Sequence, residues 1–130
     1  MPNTILVVED AALIAMDLVI ALEDAGYVVV GVAATKAAAI ALAEAHSIDL
    51  ATMDVELAQG SNGIDTAIEL RNRYDIPSIF VSGSLTDATI RRAAAADPIG
   101  FLDKPVLAEK VLHAVERYLS RRRPPEVLGD

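Results

Sequence analysis

The chain contains no cysteine. That excludes a disulfide framework and any metal site built on thiolates. It also contains no apolar run approaching the roughly 18 residues of a membrane span. Charges interrupt its hydrophobic stretches, as at Glu9-Asp10 and Asp17. The opening "MPNTILVVED" has no basic segment before its apolar residues, so it does not read as a secretory signal. Cations are scarce: 11 Lys and Arg stand against 19 Asp and Glu, a formal charge of -8. Binding nucleic acid without sequence preference needs basic residues to neutralise phosphates, so direct nucleic-acid binding is not expected, nor is a membrane. The one basic cluster, Arg121-Arg122-Arg123, reads as favourable charge at a helix C-terminus. The expected compartment is the cytoplasm.

Hydrophobic residues make up 53% of the 130, and the mean hydropathy is +0.39. This is too apolar for a disordered chain and long enough for one domain with a real core. No internal repeat or second domain is visible. Five short apolar runs read as buried strands: "TILVV" (4–8), "YVVVGVA" (27–33), "LATMD" (50–54), "SIFVS" (78–82) and "GFLD" (100–103). Segments of helical period lie between them. Ile14, Leu18, Leu22 and Ala25 mark the first helix, which Gly26 should end. Thr35 is the expected N-cap of the second helix. Ile64, Ala67 and Ile68 mark the third. Thr86 or Asp87 should cap a short fourth helix, closed at Asp97-Pro98. Leu107, Val111, Leu112, Val115 and Leu119 form the apolar face of the fifth. Strict alternation of strand and helix predicts an α/β fold, a parallel sheet with helices on both faces. The segment from residue 121 to 130, with its Pro pair, reads as a flexible tail.

The strand ends carry the chemistry. The first run ends on Glu9-Asp10, the third on Asp54, the fourth on Ser82-Gly83 and the fifth on Asp103-Lys104-Pro105. A parallel sheet brings these ends to one edge, where ligands of open α/β sheets bind. Each residue also has an ordinary reading. Asp54 suits a turn, Glu9-Asp10 suit an N-cap, Lys104 suits solvent and Ser82-Gly83 suit a bend. Phe101 is read as core by its type, and His46 and His113 as structural. The ordinary readings need a separate coincidence at each strand end, whereas one site explains all of them. Clustered carboxylates repel, and a hard divalent cation with oxygen ligands relieves them. Asp10 and Asp54 can each give an oxygen, Glu9 can orient a bound water, and a backbone carbonyl just past Asp54 can complete the set. Lys104 and Ser82 add a fixed positive charge and a hydrogen-bond donor. Such parts suit phosphoryl transfer, with Asp54 as nucleophile.

In "ILVVEDA", "LATMD", "IFVSGS" and "GFLDKP" the chain resembles the receiver domains of two-component response regulators, over about residues 4 to 120. The resemblance implies a flavodoxin-like three-layer fold with strand order 2-1-3-4-5. It implies Asp54 as phosphoacceptor and Mg²⁺ held by Glu9 (through water), Asp10, Asp54 and the Glu56 backbone carbonyl. It further implies Ser82 as switch hydroxyl, Phe101 as switch aromatic, Lys104 as phosphate-binding lysine and a cis Lys104-Pro105 bond. The implied partner is a sensor histidine kinase or a phosphotransfer protein, with pairing of two copies through the fourth and fifth helices as a further family habit. The implied activity is a switch and not an enzyme. Phosphorylation would change the face formed by the fourth helix, fifth strand and fifth helix, and the Ala-rich fourth helix is expected to be mobile.

The chain also departs from the family pattern. Leu57-Ala58 replaces the usual Met-Pro or Leu-Pro, the loop before Gly63 is a residue longer, and Val106 stands where Phe is common. Ser82 and Phe101 replace the commoner Thr and Tyr. "DVELAQGSNGID" is similar to receivers of general stress signalling. Glu56 adds a third acid which, pointing inward, would alter Mg²⁺ affinity or the lifetime of a phosphoryl group. Two other classes remain open: a receiver-like module that works without phosphate, and a small Mg²⁺-dependent phosphohydrolase, for which Glu56 occupies the place of a second acid.

Overall fold

A computed structural model describes residues 2–122. Its elements run β1 (Thr4–Val8), α1 (Ala12–Asp24), β2 (Val28–Ala33), α2 (Lys36–Ala45), β3 (Leu50–Met53), α3 (Gly63–Tyr74), β4 (Ser78–Ser82), α4 (Asp87–Ala93), β5 (Gly100–Asp103) and α5 (Ala108–Arg122). The strands form one sheet in the order β2-β1-β3-β4-β5, and every pairing is parallel. This is the α/β architecture and strand order expected from the sequence.

Side chains alternate across the sheet, and both faces are covered. Leu6, Val8, Met53 and Phe80 join Ala39, Ala43, Ala67 and Leu70 of α2 and α3 in one cluster. Ile5, Val7, Ile79 and Val81 join Leu18, Leu22, Val111 and Val115 of α1 and α5 in the other. Burial on both faces explains why the central strands β1, β3 and β4 read as unbroken apolar runs.

The local signals set most boundaries. Thr35 Oγ1 accepts from Ala38 N–H at 3.2 Å and caps α2. Thr86 Oγ1 accepts from Thr89 N–H at 3.1 Å and caps α4. Gly26, at φ +95°, follows α1 in a conformation that side chains resist. Asp97, at φ +46°, ends a single 3₁₀ turn (Ala94–Ala96) that extends α4. The Lys104-Pro105 peptide is cis, as expected.

Some expectations needed correction. The N-cap of α1 is Ala11, which makes no side-chain cap bond; Glu9 instead reaches the Ala11 N–H at 3.1 Å. Leu107 precedes α5 and is 72% exposed, so it does not belong to that helix's buried face. Phe101 is only half-buried, because β5 is an edge strand. α5 continues through Arg122, past the boundary drawn at residue 120. Residues 123–130, to which most of the expected tail and Arg123 belong, lie outside the described residues.

Candidate active site at the carboxyl edge of the sheet

The site is built on the first residues beyond the strands, held by backbone bonds that continue the sheet. Glu9 N–H donates to Ala33 C=O at 2.9 Å, Asp54 N–H to Val8 C=O at 3.0 Å, and Lys104 N–H to Ser82 C=O at 3.0 Å. Asp54 is thus the first loop residue after β3, not its last strand residue. Glu9 is 4% exposed and Asp54 7%, while Asp10 is exposed.

Lys104 links the two buried acids. Its Nζ lies 2.7 Å from Glu9 Oε1 and 3.2 Å from Asp54 Oδ2. Oxygens of Glu9, Asp10 and Asp54 all lie within 4.8 Å of one another. The donors are all carboxylate oxygens, and one ammonium cannot neutralise all of them, so the set fits a hard divalent cation. Burial pushes the Glu9 carboxyl above its usual range; the hydrogen bonds from Lys104 and the Ala11 N–H oppose this without reversing it, and Asp54 adds repulsion. Burial alone would lower the Lys104 ammonium, but hydrogen bonds to Glu9 and Asp54 outweigh it and hold its pKa above the ordinary value. The one cation serves two acids, so it keeps its proton firmly while each acid has only a share of it.

The loop after Asp54 is pinned from several sides. Val55 and Leu57 are buried in the core. Ala58 N–H donates to Ala34 C=O at 3.0 Å. The Asn62 side chain accepts from Ile64 N–H at 2.7 Å and Asp65 N–H at 3.3 Å, capping α3. Gly63 has a role that its place in the sequence does not announce. A Cβ there would lie 1.7 Å from the Asp54 carbonyl oxygen. Only glycine lets the start of α3 press against the Asp54 backbone; the available signal was a glycine at a helix start soon after a strand-end acid.

Ser82 is buried at the end of β4. Its Oγ accepts from Ser84 N–H at 3.2 Å, and among the described residues no hydrogen bond joins it to Asp54. Phe101 stacks on Phe80 with centroids 5.4 Å apart and planes 12° from parallel. Glu56 does not turn into the acid cluster. It is exposed, its backbone pairs with Asn62, and its carboxylate accepts from the Ser84 hydroxyl. His46 and His113 are both exposed and belong to no such cluster.

The model of the response regulator receiver domain matches residues 5–116. The chain belongs to the response regulator receiver domain family. A receiver of this kind is a signalling module of two-component systems. The chain is 35% identical over 122 residues to the transcriptional regulatory protein PdtaR of Mycobacterium tuberculosis, covering 94% of this chain but only 59% of that protein. The signal receiver domain of a modulated diguanylate cyclase from Desulfovibrio desulfuricans G20 superposes with a TM-score of 0.84 at 33% identity, covering 93% of this receiver and 96% of that chain. A response regulator from Burkholderia pseudomallei, solved with a phosphorylated aspartic acid, calcium ion and citrate, superposes with a TM-score of 0.77 at 27% identity, covering 97% and 77%. No helix among the described residues is long and apolar enough to cross a membrane.

Proposed function

We propose that this receiver accepts a phosphoryl group on Asp54 from a phosphohistidine of a sensor histidine kinase or phosphotransfer protein. The observation that carries the reading is Lys104 bridging Glu9 and Asp54, with Asp10 open to solvent beside them. An Asp54 oxygen attacks phosphorus, the phosphorus–nitrogen bond breaks, and the imidazole leaves. Glu9, Asp10 and Asp54, with the Glu56 backbone carbonyl, would hold Mg²⁺, whose chemistry is to neutralise the charge gathered on the transferring group. Lys104 keeps its proton and lies 3.2 Å from Asp54 Oδ2, close enough to hold the new phosphoryl group by charge.

The added charge draws the Ser82 hydroxyl toward Asp54. Ser82 ends β4, just before the loop into α4, and is paired with Asp103 in β5. Phe101, half-buried on the edge strand and stacked on Phe80, repacks with that change. A local electrostatic change thus biases the α4–β5–α5 face between two arrangements and alters which partner it fits. The phosphohydrolase reading is disfavoured because the Glu56 carboxylate is engaged by Ser84 and turned from the acid cluster.

The test is intact mass after incubation with Mg²⁺ and a small phosphodonor, beside Asp54→Asn. One labile phosphoryl group on the wild type, absent from the variant, is expected. No modification under several donors, with Mg²⁺ binding confirmed, would overturn the reading in favour of a phosphate-independent module.

A further inference from the structure

The outer edge of β5 pairs with no other strand among the described residues. Beside it, on the α5 side, lies a cavity of about 460 Å³. Ile99 and Leu102 give it an apolar wall, and Arg71, Arg117 and Arg121 line it with charge. Arg71 is already held by Asp75 at 3.1 Å and Asp97 at 2.8 Å. Lys36, Arg73 and Lys104 also have acid partners. Arg117 and Arg121 are exposed and form no ion pair among the described residues. The chain has 19 acids against 11 Lys and Arg, yet here three cations meet the single acid Asp97. The sign of the charge is reversed locally, and the reversal sits beside an open strand edge.

We propose that the groove between the free edge of β5 and α5 binds an extended acidic segment of a partner protein. The segment adds to the sheet as a further strand and sets acids at alternate positions on Arg117 and Arg121. A strand edge offers unpaired backbone N–H and C=O groups, which a peptide backbone matches and a nucleic acid does not. The net charge of -8 also disfavours a nucleic acid, whose phosphates it repels. The spacing suits a strand: Arg117 and Arg121 stand one turn apart on α5, about 6 Å along its axis. Alternate side chains of a strand share a face and lie roughly 6.6 Å apart. The inference deepens the switch reading by giving the partner of the α4–β5–α5 face a chemistry. It rests on that reading only for control by Asp54, because the groove is already formed in the unmodified protein.

The experiment is fluorescence anisotropy of a labelled, capped peptide of valine and threonine with glutamates at its third and fifth positions. It is titrated with the full, unmodified chain. Saturable binding that weakens as salt rises is expected. Placing the glutamates side by side, or replacing both with glutamine, should weaken it by roughly tenfold or more. N-methylation of alternate peptide amides should abolish binding in one parity and spare it in the other, since only one set faces β5. Arg117→Ala and Arg121→Ala should each weaken binding by roughly three- to tenfold, the scale of a partly exposed hydrogen bond between charged groups, with the unfolding midpoint unmoved. Arg121→Glu should lose this peptide and gain one in which lysine replaces one glutamate. No saturable binding, equal binding of the side-by-side isomer, or indifference to N-methylation would overturn the added strand. So would a single-stranded RNA that displaces the peptide at lower concentration, or a molar mass that doubles as the peptide is excluded, which would make a second copy the occupant. A chain that takes no phosphoryl group on Asp54 fails the phosphoacceptor reading and leaves the peptide result standing. Where Asp54 is phosphorylated, a changed affinity supports its control of the groove, and an unchanged one removes that control.

Discussion

α3 and α4 flank the same site and are anchored very differently. α3 has twelve residues, and Gly63, Ile64, Thr66, Ala67 and Leu70 are all buried. α4 has seven and buries only Ala93. The first follows Asp54 and is held by the core. The second follows Ser82 and is held by a Thr86 cap, a following 3₁₀ turn and few apolar contacts. The inequality suits the proposed function, in which an accepting Asp54 carboxylate would stay in place while the helix that reports its state moves at low cost. The sequence supplies both by giving α3 Ile64 and Leu70 to bury and α4 only Ala93.

Four outcomes would break or sharpen that contrast. The largest effect is expected at Gly63→Ala, where a Cβ must displace the Asp54 backbone. Destabilisation of about 3 kcal/mol or more should appear in denaturant unfolding, and a wild-type midpoint would show that the Asp54 loop is not held as described. Next, Leu70→Ala in α3 should cost about 2–5 kcal/mol. Ile90→Ala in α4, where the side chain is exposed, should stay within about 0.5 kcal/mol; similar losses at the two sites would erase the contrast. Third, Thr52 Oγ1 is buried with no hydrogen-bond partner, so Thr52→Val should raise stability by roughly 1 kcal/mol, against a fall if an unseen partner satisfies it.

The smallest effect is pH-dependent. The folded Glu9 carboxyl titrates above its ordinary value of 4.5. As pH rises from below that value, the unfolded chain releases its proton first, so Glu9 takes stability from the fold until pH passes the folded pKa. In EDTA, Glu9→Gln should therefore gain on the wild type as pH rises through that window and run parallel to it above. A gain appearing only on acidification would reverse the sign. Slow amide exchange in the central strands and fast exchange in α4 should accompany all of these, and equal protection would contradict an easily moved α4.

Much of this was legible in the order of residues. β1 and β4 fell on the runs that named them, because strands buried on both faces must be continuously apolar; β5 fell on its run too, although it is a half-buried edge strand. Thr35, Gly26 and Thr86 marked helix ends because caps are local chemistry between neighbours in the chain. The convergence of Glu9, Asp10, Asp54 and Lys104 could be anticipated from parallel topology, which places every strand's carboxyl end on one edge. What remained hidden depends on distances between segments far apart in sequence. That Lys104 divides itself between Glu9 and Asp54, that Glu9 turns inward to it, that Gly63 must lack a Cβ because the Asp54 carbonyl occupies its place, and that Glu56 faces Ser84 instead of the acids are all tertiary facts. Pattern and capping act between near neighbours and are written in the sequence. Steric exclusion and the sharing of charge act through space, and only the packed chain decides them.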